Sequence, residues 1–334
     1  MSHDTLILRE PEIRALLDPA ECITAVENAF SAYATGQAEL PAVINLNVPE
    51  KEAEIHVKAG HLRGGSHYAV KIASGFPDNT AFGLPANDGM VLVFDAATGA
   101  LAALLLDHGY ITDLRTAAAG AVVAKYLAKK PVTRIALIGT GLQARYQPQL
   151  LARVRQFTEV RIWGRNTEKA MAVADDLSHD TSLPSGCNFA VVSNVQGAVA
   201  GADIVITVTA SREPLLRAEW LSRGALVIAV GSDGPDKQEL DVGVLARADR
   251  LVADSLSQCL RLGEIHHAVE KGAITKEDVD AELGEITAGV RPGRQSDDEV
   301  IVCDLTGVGV QDVAAAALVM RKALASGKGE RIRL

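Results

Sequence analysis

The sequence lacks the features that would place the protein in a membrane. Within its 334 residues, no apolar run approaches the roughly 18 residues that a membrane-spanning helix requires. The amino-terminal sequence MSHDTL also lacks the basic segment followed by an apolar segment that is typical of a signal peptide. We therefore expect a cytoplasmic protein without a membrane partner.

Cysteine pairs, zinc-ligand spacings and basic clusters are also absent from the sequence. The four cysteines are scattered without a C-x-x-C pair, which indicates neither a disulfide framework nor a zinc site. His266 and His267 are adjacent on a predicted helix and should point to different sides of it. The formal net charge is −9, and no Lys/Arg cluster is present, which argues against nucleic-acid binding. We predict no metal site and a small molecule as the partner.

The most informative positive signal is a strand-turn-helix pattern in residues 132–144. An apolar strand ends at Gly139, and the sequence GTGLQA leads from there into a helix. Gly139 permits a tight turn, Gly141 lets the backbone approach a pyrophosphate, and Ala144 lets the helix pack on its strand. Glycines also end many ordinary strands, so the prediction of a dinucleotide-binding loop depends on the flanking strand and helix.

Arg165 follows the next predicted strand, roughly 20 residues after the glycine turn, where this type of fold presents a residue to the adenosine ribose. An acidic residue there would bind the ribose hydroxyls of NAD. Arg165, with Asn166 and Thr167 beside it, instead offers a cation and donors to a 2′-phosphate. The alternative is a solvated arginine at the end of a strand. We predict that NADP(H) is favoured over NAD(H).

The pattern along the chain predicts an α/β fold with two parts. Residues 18–36 form an amphipathic helix, and residues 40–106 carry the short β runs of a largely antiparallel sheet. After a helix over 112–128, strands and helices alternate with short connections, which indicates a Rossmann-type, doubly wound parallel sheet. The stretch 300–305 does not obviously extend that sheet, and an alanine-rich helix follows at 310–325.

Three segments carry residues that could act on a substrate. Lys71 interrupts an apolar strand and is either exposed or a desolvated amine whose pKa falls into the range useful for acid–base chemistry. Arg115, at the start of a helix, could grip a carboxylate or form an interdomain salt bridge. Asp233 follows a parallel strand, where ligands bind, but a loop aspartate between glycines is also typical of a turn. His56 and Lys58 share one strand face and could line the same pocket.

Together these motifs resemble those of the ornithine cyclodeaminase/μ-crystallin family over nearly the whole chain. The segments that match in order and spacing are VK…GFP…GLP in 70–85, LRTAA in 114–118, IGTGLQA in 138–144 and VGSDGPDKQEL in 230–240. The resemblance implies a homodimer that pairs through its N-terminal sheets, and hydride transfer at the α-carbon of an amino or imino acid. We expect an N-terminal α+β substrate-binding and dimerisation domain of residues 1–115 plus 309–334, completed by the C-terminal helix, and a Rossmann dinucleotide-binding domain of residues 116–308.

The resemblance also implies roles for single residues. Lys71 would contact the substrate carboxylate or the reacting nitrogen, Arg115 would hold the carboxylate, and Asp233 would be the acid–base residue. Thr306 would lie near the nicotinamide and the substrate. The residues that would contact the cofactor are Gly139, Gly141, Leu142, Gln143, Arg165, Asn166, Thr209, Val230, Lys237, Leu305 and also Arg115. Many members carry a second carboxylate-binding arginine that this chain lacks, and Lys58 would substitute for it. A glutamate of some cyclodeaminases aligns with His56, so a pocket for a distal amine is not supported.

Arg165 favours NADPH, which cells hold mostly in the reduced form, so the expected reaction is net reduction of an imino acid or cyclic ketimine. One alternative is an ornithine- or lysine-type cyclodeaminase, including members associated with ectoine utilisation, which releases ammonia and recycles its cofactor. The other is a non-catalytic binder of small carboxylates, of μ-crystallin type.

Overall fold

The computed structural model describes residues 4–333, and the chain separates into two units. Unit 1 comprises the residues up to Arg115 together with those from Val308 onward, and unit 2 comprises residues 116–307. Residues 1–3 and residue 334 lie outside the described residues. The first three belong to the segment in which we expect no signal peptide, and residue 334 is the last residue of the predicted range 309–334. No helix within 4–333 has both the length and the apolar character needed to cross a membrane.

The described residues contain sixteen strands and eleven α-helices. The strands are β1 (Asp4–Arg9), β2 (Ala38–Glu39), β3 (Ile44–Val48), β4 (Ala53–Leu62), β5 (His67–Gly75), β6 (Asn87–Asp95), β7 (Leu101–Leu106), β8 (Arg134–Ile138), β9 (Glu159–Trp163), β10 (Asn188–Val191), β11 (Ile204–Thr207), β12 (Leu226–Ala229), β13 (Arg250–Ala253), β14 (Ala281–Glu282), β15 (Ile301–Asp304) and β16 (Glu330–Arg333). The helices are α1 (Glu10–Leu16), α2 (Pro19–Ala34), α3 (Tyr110–Leu127), α4 (Gln143–Leu151), α5 (Thr167–Ser178), α6 (Val195–Val199), α7 (Val242–Arg247), α8 (Leu256–Cys259), α9 (Gly263–Glu270), α10 (Leu283–Thr287) and α11 (Gly309–Ser326).

Unit 1 contains a mixed sheet in the order β16-β1-β7-β6-β5-β4-β2, with β3 also paired to β4. Only β1 and β7 run parallel, which confirms the predicted largely antiparallel sheet. A hairpin turn joins β6 and β7: the carboxylate of Asp95 accepts the backbone N–H groups of Ala97 and Thr98, and Gly99 has a φ of +71°. This turn sets the register of the two strands.

Two helices pack in unit 1 for reasons visible in the sequence. The carboxylate of Asp18 accepts the N–H groups of Ala20 and Glu21 and thereby caps α2, whose apolar stripe is buried. Helix α11 comes unusually close to β4, because a Cβ at Gly309 would lie only 2.6 Å from the carbonyl oxygen of Ala59. This close approach places the first turn of α11 directly over β4.

Unit 2 contains a fully parallel sheet in the order β10-β9-β8-β11-β12-β15-β13-β14. The strand order reverses between β8 and β11, which confirms the doubly wound fold and creates the crevice where such sheets bind ligands. The expectation that residues 300–305 do not extend this sheet is wrong, since β15 lies between β12 and β13. All four residues of β15 are buried, as is typical of an interior parallel strand. A long crossover separates β15 from the preceding strands of the sheet, so the sequence pattern does not show which strands it pairs with.

Candidate functional site

The predicted glycine turn lies at the strand reversal of unit 2. Gly139 has a φ of +135°, and a Cβ there would come within 2.7 Å of the carbonyl oxygen of Val208, so glycine is required. A Cβ at Gly141 would meet no atom within 4 Å, which leaves the backbone open to a ligand. Ala144 is fully buried against the sheet. The turn has the features that a bound pyrophosphate needs.

Leu142 and Gln143 stand at the amino-terminal end of α4. The first N–H groups of a helix have no acceptor within the helix, and the helix dipole adds a partial positive charge at this end. An anionic group is therefore favoured beside these two residues.

Arg165 and Asn166 follow β9 and precede α5. Arg165 is exposed, and across residues 4–333 the structure shows no hydrogen bond or ion pair for its guanidinium group. The side-chain oxygen of Asn166 accepts the backbone N–H of Lys169 and caps α5, which leaves the amide hydrogens of Asn166 for a ligand. The guanidinium group is thus available to an anion.

A buried carboxylate, Glu239, joins the ends of β11 and β12. Its two oxygens accept the backbone N–H of Thr209 at 2.6 Å and that of Gly231 at 2.9 Å. A Cβ at Gly231 would collide with the carbonyl oxygen of Thr209, so the two strand ends are in direct contact. Burial raises the pKa of Glu239 to about 7, against the hydrogen bonds from Thr207 and Thr209. Glu239 thereby holds the backbone of Thr209 and of Gly231, which follows Val230, in place.

Further buried carboxylates continue this arrangement. Glu264 accepts the backbone N–H groups of Glu239 and Leu240 at 2.7 and 3.1 Å. Asp304 accepts those of Glu264 and Ile265, both at 2.9 Å. Burial raises the pKa of Glu264 well above its ordinary value and that of Asp304 to about 8. Each carboxylate of this series therefore fixes the backbone that carries the next one.

Asp254 has the same role for Leu305 and Thr306. Its carboxylate accepts the backbone N–H groups of Thr306 at 2.8 Å and Gly307 at 2.7 Å, and the hydroxyl group of Thr306 at 2.8 Å. Leu305 is buried and directly precedes this anchored turn. Sequence reasoning missed Asp254, Glu239 and Glu264, although a buried acidic residue next to a predicted strand end would be a usable signal.

Asp233 and Lys237, predicted in separate roles, form an ion pair with 2.7 Å between Nζ and the carboxylate. The loop between them is closed by Ser232, whose hydroxyl group donates to the carbonyl oxygen of Lys237. The same carbonyl oxygen accepts from Nε2 of His267 at 2.8 Å. About two fifths of the Asp233 side chain is exposed, at 44%. The aspartate therefore combines a defined position with access for a ligand.

The expectation that His266 and His267 point to different sides of their helix is wrong. Their ring centroids lie 3.9 Å apart, so the two rings are direct neighbours. With Glu270 they bring potential ligand atoms within 4.8 Å of one another. Nδ1 of His266 bonds the carbonyl oxygen of Gly263 at 3.0 Å, and Nε2 of His267 bonds that of Lys237, so each ring already has a backbone partner.

Unit 1 contains three buried cations, Lys58, Lys71 and Arg115. Lys58 and Lys71 stand directly opposite each other on β4 and β5. Lys71 is only 3% exposed and Arg115 only 4%, so Lys71 is the desolvated amine of the two alternatives. Burial lowers the pKa of Lys71 to about 7, and the neighbouring carboxylate of Asp312 opposes this shift. His56 contacts Asn45, with 2.8 Å between Nδ1 and the amide oxygen, on the same strand face as Lys58.

Asp312, in the first turn of α11, is the anion that pairs with these cations. Its carboxylate accepts from Nε of Arg115 at 2.8 Å and lies 3.2 Å from Nζ of Lys71. Nη1 of Arg115 donates to the side-chain oxygen of Gln311 at 2.7 Å. Nη2 of Arg115 has no partner within residues 4–333. Sequence reasoning missed both α11 residues, because the alanine-rich helix indicates only a packed element.

The sequence profile described as the ornithine cyclodeaminase/mu-crystallin family matches residues 3–327. A putative dehydrogenase of Rhizobium meliloti is 43% identical, with 97% of each chain covered. An archaeal alanine dehydrogenase dimer with bound NAD is 37% identical, with a TM-score of 0.92 and 99% of each chain covered. The Thermococcus litoralis Δ1-pyrroline-2-carboxylate reductase in complex with NADH and L-proline is 32% identical, with a TM-score of 0.93 and coverage of 98% of this chain and 100% of that one.

We expect Glu239→Gln to weaken the binding of NADH and NADPH about tenfold, because one buried backbone N–H, of Thr209 or Gly231, then loses its acceptor. Fluorescence titration of the dinucleotide measures the effect. Glu213→Gln, on the exposed loop after β11, is the matched control. Unchanged dinucleotide affinity in a folded Glu239→Gln protein would contradict the role assigned to this carboxylate.

Proposed function

The chain belongs to the ornithine cyclodeaminase/mu-crystallin family, and we propose on that basis that it is a nicotinamide-dependent reductase of α-imino acids, open-chain or cyclic. The observation that carries this proposal is the pair of buried cations, Lys71 and Arg115, in a chain that also has a dinucleotide-binding turn. The alanine dehydrogenase and the pyrroline-carboxylate reductase compared above support chemistry at the α-carbon of an amino acid.

In the proposed reaction, Arg115 and Lys71 bind the substrate carboxylate. Nη2 of Arg115 is the donor available for it, and the ammonium of Lys71 adds a second charge-assisted hydrogen bond. When bound, a reduced nicotinamide would supply the hydride for the imine carbon, and Gly139, Gly141, Leu142 and Gln143 would hold its pyrophosphate. Asp233 delivers the proton that the reacting nitrogen requires and exchanges it with Lys237 or solvent. Two cations on one carboxylate would restrict the orientation of the substrate and of its α-carbon.

Net reduction is preferred over cyclodeamination for an electrostatic reason. Cyclodeaminase substrates such as ornithine carry a distal ammonium group. In this chain Lys58 of β4 lies directly opposite Lys71 of the neighbouring strand β5, and His56 lies on the same face of β4 as Lys58. A further cation beside Lys58 and Lys71 would be repelled by these two ammonium groups, whereas neutral or acidic side chains of a substrate would be accepted.

A substrate screen tests this function. We expect NADPH or NADH to be oxidised with pyruvate plus ammonia or with Δ1-pyrroline-2-carboxylate. Lys71→Ala and Asp233→Ala should abolish turnover and leave dinucleotide binding within about twofold, because neither side chain is assigned to the dinucleotide. Ammonia release from ornithine or lysine without net nicotinamide change would identify a cyclodeaminase. Carboxylate binding without any turnover would identify a binding protein.

Arg165 carries the proposal that NADP(H) is favoured over NAD(H). Its exposed guanidinium group at the end of β9 has no anionic partner among the described residues and suits a 2′-phosphate. The two relatives of known structure hold NAD and NADH, so the proposal rests on this side chain of the present chain.

We expect Arg165→Ser to lower NADPH affinity about tenfold and to leave NADH affinity unchanged, because only the phosphate contact is lost. Arg153→Ser, which removes another exposed arginine of unit 2, is the control. Titration of both dinucleotides against each protein gives the result. A wild-type preference for NADH would refute the cofactor proposal.

We also propose a homodimer formed through unit 1. Ile44 and Leu46 of β3 are 63% and 59% exposed and pair with Val57 and Ile55 of β4. These four apolar side chains share one face of the two strands, opposite the face of Asn45 and His56. An exposed apolar strand face of this kind is typical of an interface. The archaeal relative is described as a dimer.

Light scattering after size exclusion should give twice the mass of one chain for the wild type. The double substitution Ile44→Glu with Leu46→Glu should give a monomer, because charge on this face opposes burial. Met171→Glu, at an equally exposed apolar residue of unit 2 (59%), should remain a dimer. A dimeric double variant would place the interface elsewhere.

A further inference from the structure

Asp312 is a fully buried carboxylate that touches two buried cations at once. It is 2% exposed, and its oxygens lie 2.8 Å from Nε of Arg115 and 3.2 Å from Nζ of Lys71. Burial of a carboxylate is costly unless it is paired; here one oxygen accepts from Arg115 and the other faces the ammonium group of Lys71. Although burial alone would raise its pKa, Arg115 and Lys71 hold the pKa of Asp312 below its usual range.

The charged groups around Lys71 come from several elements of unit 1. Lys58 faces it from β4, Arg115 from α3 and Asp312 from α11, and of these three only Asp312 is negative. Asp107, before α3, is a further buried carboxyl group, which accepts the backbone N–H of Ile111 and whose pKa is raised mainly by burial and in part by the charge of Asp312. Without Asp312, Lys71 and Arg115 would therefore lose the anion that both contact.

The N–H groups of Arg115 donate to different partners. Asp312 accepts from Nε and Gln311 accepts one hydrogen of Nη1, so two of the three nitrogens hold the guanidinium group in place. The third nitrogen, Nη2, has no partner among residues 4–333. A guanidinium group that is anchored in this way offers a preorganised donor to a second carboxylate.

We propose that Asp312 is a positioning residue: it keeps Lys71 charged and orients Arg115, so that both cations are presented to the carboxylate of the substrate. This inference rests on the proposed function, because it presumes that these two cations bind the substrate. Asp312 does not touch the substrate in this scheme. It acts through Lys71 and Arg115.

The pH dependence of catalysis distinguishes this role from a merely structural one. Lys71 is protonated below its pKa of about 7, so kcat/KM for an anionic substrate should fall as the pH rises through that value. Asp312 stabilises the charged amine, and its removal lowers the pKa of Lys71. In Asp312→Asn the fall should therefore begin about one pH unit lower or more, with a KM at neutral pH raised at least about tenfold.

Two further variants complete the experiment. Asp107→Asn is the control, since Asp107 is also a buried carboxyl group of unit 1 but contacts Ile111 and neither cation among the described residues. Asp107→Asn should leave the pH dependence of kcat/KM unchanged. Asp312→Glu keeps the negative charge and should restore the position of the alkaline limb, with a raised KM because the carboxylate is displaced. If Asp312→Asn does not fold, the comparison of Asp312→Glu with wild type still tests the inference.

A measurement without substrate separates this inference from the proposed function. NMR titration of the Lys71 side-chain nitrogen, assigned by its loss in Lys71→Met, should show a lower pKa in Asp312→Asn than in wild type. This result would support the inference even if no imino acid is reduced. An unchanged Lys71 titration together with an unchanged pH profile would overturn it, whether or not the wild type is a reductase.

Discussion

Buried charge has to be paired with opposite charge or with hydrogen-bond donors, and both units depend on this constraint. In unit 1 the carboxylate of Asp312 neutralises part of a cluster of three cations. In unit 2 the carboxylates of Glu239 and Asp254 accept backbone N–H groups at the strand ends. The side chains assigned to substrate and cofactor are therefore held by networks of buried charge and hydrogen bonds, which favour a preorganised site.

Close approach of backbone segments is the second condition, because the paired groups come from different elements. Gly309 lets α11 reach β4 and thereby brings Asp312 over the sheet that carries Lys71. Gly231 similarly lets the end of β12 contact Thr209 closely enough for one carboxylate to serve both. A Cβ at either position would separate the partners and leave buried charges or N–H groups without a counterpart.

Local patterns predicted much of the architecture. The turn at Gly139 depends on a positive φ and on the flanking strand and helix, all of which are short-range features. The capping of α2 by Asp18 and the hairpin at Asp95 are local for the same reason. The position of β15 in the sheet could not be predicted. Its two neighbours, β12 and β13, both lie far before it in the sequence, so no local pattern links the three strands.

The amino-acid sequence alone determined the two kinds of sheet, the dinucleotide-binding turn and the candidate cations Lys71 and Arg115, because strand period, glycine spacing and isolated charge are readable in one dimension. Only the tertiary structure decided that Lys71 is buried, that Asp312 from the far end of the chain is its counterion, and that Glu239 joins two strand ends. These are contacts between residues remote in sequence. Burial and pairing depend on which elements pack together, and no local pattern encodes that choice.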